Sequence, residues 1–331
     1  MAAVLLAMSL LATVFVGLAA WGATQDLADV REDLDTMAGP ALASDLVTGL
    51  QDERNYAASY ILGFENALEL PVDSMDEATG ATDDALAALR SQVERRGGDL
   101  AAAYGEVLGG IDGSLADLRQ TVDGISGERG QNLTSVSEPL HAGYSTLIDN
   151  LMDAGDSMAL AIDDSELSRG VRLHQLALAQ PALVAYIQRG LVLAGVGPGG
   201  SVDTAEEVAS ISAYKAELEA NETEIASLAT GTYADAAVNR QDAAALSEYL
   251  DVVDSSIQGG VVPITEVLTA TSTNGDLTQH YAAMSETVKS TLAERADDLE
   301  QEAKSRRLLW FVLAGASLAA VAAALVVVLV R

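Results

Sequence analysis

Two arginines stand where core residues belong. In "LVTGLQDERNYAASYIL", residues 46–62, Leu46, Leu50, Ala57, Ala58 and Ile61 recur at helical spacing, and Arg54 falls on the same stripe four residues after Leu50. In "QLALAQPALVAYIQRGLVLAGV", residues 175–196, Ala182, Ala185, Leu193 and Val196 mark a second apolar stripe, and Arg189 lies on it. A guanidinium turned toward a protein interior needs a partner, because desolvating an unpaired charge is costly. One partner is a carboxylate, and Glu53 and Glu65 are close to Arg54 in the chain. The other is an exogenous anion on which two arginines converge; the rigid guanidinium fork suits a planar oxyanion, to which it donates two parallel hydrogen bonds. The residues alone leave both open.

No other constellation competes for the chemistry. His141, His174 and His280 lie far apart with no H-E-x-x-H spacing, so no metal site is expected. "GLVLAGVGPGGS", residues 190–201, is glycine-rich but lacks the G-K-[ST] ending of a phosphate cradle and follows no strand. There is no G-x-S-x-G elbow, and nothing places a serine, a histidine and an aspartate as a triad. The chain has no cysteine, which excludes thiolate nucleophiles and disulfides. No enzyme activity and no cofactor are expected.

The elements that must position these arginines are helices. The 331-residue chain is rich in alanine and leucine and poor in aromatic residues, at 4%. Its formal net charge of -31 excludes nucleic acid and a basic membrane-docking patch. Residues 1–21, "MAAVLLAMSLLATVFVGLAAW", and 308–330, "LLWFVLAGASLAAVAAALVVVLV", are each uncharged and long enough to span a bilayer. Trp21 closes the first and Trp310 opens the second, so in a two-pass topology both indoles sit at one interface. Helical patterning runs from the first segment straight into "DLADVREDLDTM", which argues against a cleaved signal peptide.

Residues 22–307 then form one domain on one side of the membrane. The flank Lys304, Arg306 and Arg307 favours the cytoplasm, whereas an acidic domain without an enzyme motif favours the outside; the expectation is extracytoplasmic. Within it, helix breaks are predicted at 39–40, 70–74, 109–113, 195–201, 258–263 and 272–276, giving seven or eight helices. A last helix from about Asp276 carries Met284, Val288, Leu292 and Leu299 on one face and enters the second span without a breaker.

The stretch around Arg54 resembles the opening signature of the nitrate- and nitrite-sensing (NIT) domain: a leucine, then L-Q-x-E-R, then a small-residue helical continuation. Further similar segments follow in order: "TDDALAAL" at 82–89, "LADLRQTVD" at 115–123, "YSTLIDNLMD" at 144–153 and "YIQRGLVLAG" at 186–195, the last resembling the family's second arginine helix. Gln188 departs from the glutamate usual before that arginine, and Pro181 interrupts the preceding helix. The resemblance covers roughly residues 40–260. It implies an all-α sensor of two packed antiparallel four-helix bundles, flanked here by two transmembrane helices, with nitrate or nitrite bound between the bundles. It also implies the setting of an actinobacterial-type sensor histidine kinase, and a homodimer is expected by analogy with two-span receptors. Arg54 and Arg189 are then the anion contacts, with Gln51 supplying a hydrogen bond one turn earlier; Arg119 is a further candidate, for which a surface salt bridge is the favoured alternative. A chemoreceptor-type bundle for another ligand, or a structural membrane protein that recruits a partner, would share the same helical frame.

Overall fold

The computed structural model describes residues 2–62, 72, 74–125, 134–196, 205–238, 243–259 and 264–330, and the side chains it describes begin at Leu11. Every regular element among them is helical: α1 (Ala2–Leu62), α2 (Met75–Arg96), α3 (Gly98–Gly124), α4 (Thr134–Ala159), α5 (Ser165–Val196), α6 (Ala205–Leu228), a 3-10 turn (Gly231–Tyr233), α7 (Ala234–Val238), α8 (Ala243–Gly259) and α9 (Ile264–Val330). The chain divides into two compact units, Met1–Asp35 with Leu292–Arg331, and Thr36–Thr291.

In the larger unit, Leu46, Leu50, Ala57 and Ile61 of α1 join Leu86 and Leu89 of α2, Ile111 and Leu115 of α3, and Tyr144, Ile148 and Leu151 of α4 in one buried cluster. Helix α2 starts where Ser74 accepts a hydrogen bond from the Glu77 N–H at 3.1 Å, a cap worth about 1 kcal/mol. It ends at Gly97, whose φ of 63° lets one residue turn the chain into α3. Four contacts tie the later helices together. Tyr249 of α8 donates to the Val184 carbonyl of α5 at 3.0 Å. Gln180 of α5 donates to the Leu218 carbonyl of α6 at 3.4 Å, and Tyr281 of α9 donates to Glu222 of α6 at 2.8 Å. His174 Nδ1 of α5 is hydrogen-bonded to Ser285 Oγ of α9 at 3.0 Å.

Helix α5 packs against α4 and α6 through glycines. A Cβ on Gly155 of α4 would collide with the Gln175 amide, and one on Gly190 of α5 would lie 2.6 Å from Ile211 of α6. Close backbone approach at these two points brings the faces bearing the candidate residues together.

Several expected breaks are absent. Gly39-Pro40 lies inside α1, the glycines of 109–113 lie inside α3, and 272–276 lies inside α9. Pro181 sits inside α5 rather than interrupting it. Packing explains the first case: Gly39 and Pro40 are both buried, and a Cβ on Gly39 would lie 2.5 Å from Met158 and 2.8 Å from Leu100. This glycine makes room for neighbours, and their contacts offset the hydrogen bond that proline removes. In α3 the buried stripe Leu108, Ile111 and Leu115 carries the helix past its exposed glycines. The expected breaks at 70–74, 195–201 and 258–263 fall largely outside the described residues.

In the smaller unit the start of α1 runs antiparallel to the end of α9. The hydroxyls of Thr13 and Ser317 are 3.0 Å apart, Arg306 reaches Asp26 at 3.5 Å, and Arg31 reaches Glu300 at 3.6 Å. Leu11, Phe15, Leu18 and Trp21 on one strand of this hairpin, and Leu308, Phe311 and Leu318 on the other, are exposed. Among the described residues one helix segment, within Gly275–Ala323, is long and apolar enough to cross a membrane. The first ten residues of the other expected span fall outside the described side chains. Met284, Val288 and Leu292 are buried as their spacing predicts, while Leu299 is half-buried.

Candidate functional site

Arg54 is 0% exposed, like Leu50 and Ala57 on either side of it along the helix face. Glu53, proposed as its partner, points elsewhere: it accepts two hydrogen bonds from Arg119, at 2.7 and 2.9 Å, and one from Tyr144 at 2.7 Å. Consecutive helical residues are about 100° apart around the axis, so Glu53 and Arg54 serve different neighbours. Glu65, the other suggested partner, lies outside the described residues. Among the described residues no carboxylate forms an ion pair with Arg54. Its hydrogen bonds are long, Nη1 to Ser145 Oγ at 3.5 Å and Nη2 to Asn55 Oδ1 at 3.5 Å, and its Nε is buried with no partner. Burial works against the guanidinium's charge, opposed by Tyr186 and by Asp149.

The remaining contact of Arg54 is aromatic. Its Cζ lies 4.7 Å from the centre of the Tyr186 ring of α5, a cation–π arrangement. Tyr186 in turn stacks on Tyr214 of α6 at 4.7 Å and meets the edge of His141 of α4 at 4.7 Å. Beside this aromatic column opens a cleft of about 610 Å³, lined by His141, Ser145, Asp149, Tyr186, Arg189 and Tyr214 among others. Arg189 is half-buried on its wall. Arg54 sits one layer in, covered by the Tyr186 ring. Both arginines act on His141: burial first, then Arg54 and Arg189, pull its imidazole down to about 2, so it is uncharged at neutral pH.

The structure thus brings Arg54 and Arg189, 135 positions apart in the sequence, to the same aromatic group. It commits Gln51 differently from the sequence expectation. The Gln51 amide donates to the Leu178 carbonyl of α5 at 2.9 Å, fastening α1 to α5 one turn before Arg54. Arg119 is also engaged away from the cleft, bound to Glu53 and at 2.9 Å to Asp83. The sequence reading weighed His141 only as a metal ligand and passed over Ser145, Asp149, Tyr186 and Tyr214. The available signal was Tyr186 itself, three residues before Arg189 and therefore on its face of the helix.

A family model described as nitrate and nitrite sensing matches residues 45–323. The chain belongs to the NIT family. The NIT match begins at the stripe bearing Arg54 and extends past residue 260 along α9, further than the sequence resemblance reached. Among solved structures, one described as the structure of the NasR transcription antiterminator is similar in fold, with a TM-score of 0.63 at 16% identity, covering 88% of this chain and 80% of that one. No curated protein matches the chain.

In this NIT chain, Asp52 shares the surroundings of Arg54, and burial raises its carboxyl to about 6 despite the nearby guanidinium. A carboxyl raised in the folded state from an ordinary 3.8 contributes its full stability below pH 3.8 and loses it as pH rises through about 6. Asp52→Asn is therefore expected to melt like the wild type at pH 4 and higher than it at pH 7.5. A shift of two pH units sets the upper bound at roughly 3 kcal/mol. Thermal scans of both proteins across pH 4–8 check this.

Proposed function

We propose that this chain is a membrane-anchored sensor of a small monovalent oxyanion, nitrate or nitrite, that binds at the Arg54–Arg189 cleft. The carrying observation is a fully buried arginine with no carboxylate partner among the described residues, set beside a polar cleft whose wall bears a second arginine. Membership of a family described as nitrate and nitrite sensing supports the same ligand class. Asp149, Asp153 and Glu217 line the cleft as well, which disfavours a dianion.

On this reading the core shared by α1 to α4 and the group of α5, α6, α8 and α9 are two helical bundles. The anion closes the layer between them and favours one packing over another. Helix α5 carries Tyr186 and Arg189 at the cleft and His174, which holds Ser285 of α9. Because α9 continues to Val330, a shift of α5 has a helical path toward the membrane. Two spans, at 1–21 and 308–330, an extracytoplasmic domain between them and a homodimer complete the proposal, with a cytoplasmic output module such as a histidine kinase receiving the signal and no catalysis in this chain itself.

The test is calorimetric titration of the full chain in detergent micelles with nitrate, nitrite, chloride and sulfate. Nitrate or nitrite is expected to give saturable heat and a raised melting temperature, by about 3 kcal/mol of stability at a hundredfold excess over Kd. Sulfate and chloride are expected to give neither. Absence of heat and of any thermal shift at millimolar nitrate and nitrite overturns the reading.

A further inference from the structure

We propose that the His141 imidazole is a third donor to the bound anion, alongside the two guanidiniums of Arg54 and Arg189. This rests on the oxyanion reading of the cleft and adds a ligand residue that the L-Q-x-E-R pattern does not contain.

His141 is 6% exposed and lines the cleft. Among the described residues its ring nitrogens have no hydrogen-bond partner; the contacts it makes are the edge of Tyr186, and the Ser145 hydroxyl on its main-chain carbonyl at 2.6 Å. The His141 nitrogens are not among the sealed, unpartnered polar atoms of the described residues, so the imidazole presents them to the cleft that it lines. The ring and the Arg54 guanidinium each lie 4.7 Å from the centre of the Tyr186 ring. The two groups therefore share one aromatic neighbour at the edge of the cleft.

The charge balance favours a donor of this kind. A protonated imidazole would add a third positive charge to a buried site, and the two arginines oppose that. A neutral ring still carries one N–H, which it gives without further desolvation of charge. Three donors arranged around a planar monoanion match its three oxygens, or two oxygens and a lone pair in the nitrite case. The Ser145 side chain already donates to the backbone and receives the Arg54 contact, whereas the imidazole makes no hydrogen bond among the described residues.

The experiment uses the full chain in detergent micelles, with nitrate as probe. His141→Leu removes the donor and is expected to weaken nitrate binding about 5- to 10-fold, the worth of one neutral hydrogen bond. His141→Gln, which keeps an N–H, is expected to stay within about 3-fold of the wild type. With histidine ring nitrogens labelled by ¹⁵N, nitrate is expected to shift one nitrogen of His141 and leave His174 and His280 unmoved. The labelled wild-type chain decides the matter even where His141→Leu fails to fold. Wild-type binding with no His141 shift, or with equal affinity in the leucine variant, overturns this proposal and leaves the oxyanion reading standing. No wild-type binding overturns both.

Discussion

Arg54→Met is expected to yield a protein that melts higher than the wild type and no longer takes up nitrate. The two effects have one origin. Arg54 is fully enclosed, its two hydrogen bonds are both 3.5 Å long, and no carboxylate among the described residues neutralises it. Its desolvation is opposed first by Tyr186, whose ring it faces, and then by Asp149. Methionine fills a similar slender volume without the charge, and substitutions of buried ionic groups by apolar ones of like shape gain about 1–4 kcal/mol. At about 2–4 °C per kcal/mol for a domain of this size, the melting temperature rises by several degrees.

Binding moves the other way. Each charge-assisted hydrogen bond contributes about 1.5–3 kcal/mol, so loss of a bidentate contact lowers nitrate affinity by at least about 100-fold. Thermal scans with and without nitrate measure both effects in one experiment. A structural salt bridge predicts the opposite pair of results: a lower melting temperature and an unchanged nitrate response. That outcome would falsify the assignment of Arg54 to the ligand.

The sequence disclosed Arg54 because its oddity is local. One helical stripe, Leu46, Leu50, Ala57 and Ile61, defines the buried face, and all four are at 0% exposure together with the arginine. The all-helical class was legible for a similar reason, since composition and 3.6-residue patterning are short-range properties. What surrounds Arg54 was not legible, because it comes from α4, α5 and α6. Whether Glu53 faces Arg54 or Arg119 depends on which helix lies beside α1, and Arg119 is 66 residues further along. Gly39-Pro40 misled because a local rule about breakers ignores packing against Met158 and Leu100, which belong to other helices. His141 carries no sequence signature at all, having neither spacing partner nor motif. The segments resembling the NIT pattern, by contrast, are explained by where they meet. Asp83 from the first, Arg119 from the second and Tyr144 from the third all join Glu53 of L-Q-x-E-R in one polar cluster. Much of the recognisable pattern therefore belongs to the frame that holds α1 in place, and only part of it to the ligand.

That division makes the second large prediction. Arg119→Ala is expected to destabilise the domain strongly while leaving nitrate affinity within about 3-fold of the wild type. Glu53 is 0% exposed, and Arg119 supplies two of its three hydrogen bonds. Those contacts also hold the Arg119 guanidinium more firmly protonated than usual. Removing the arginine leaves a buried carboxylate with only the Tyr144 hydroxyl, and breaking a buried pair in this way costs about 3–5 kcal/mol. Arg119 is 22% exposed, so water enters part of the space and the lower end of that range applies. The melting temperature should fall by roughly 6–12 °C. Glu53→Gln combined with Arg119→Ala removes the stranded charge and is expected to recover more than half of the loss, a coupling that a double-mutant cycle reads directly. A variant that loses nitrate binding without losing stability would instead place Arg119 at the anion and move the site from the α4–α5–α6 cleft to the core shared by α1, α2 and α3.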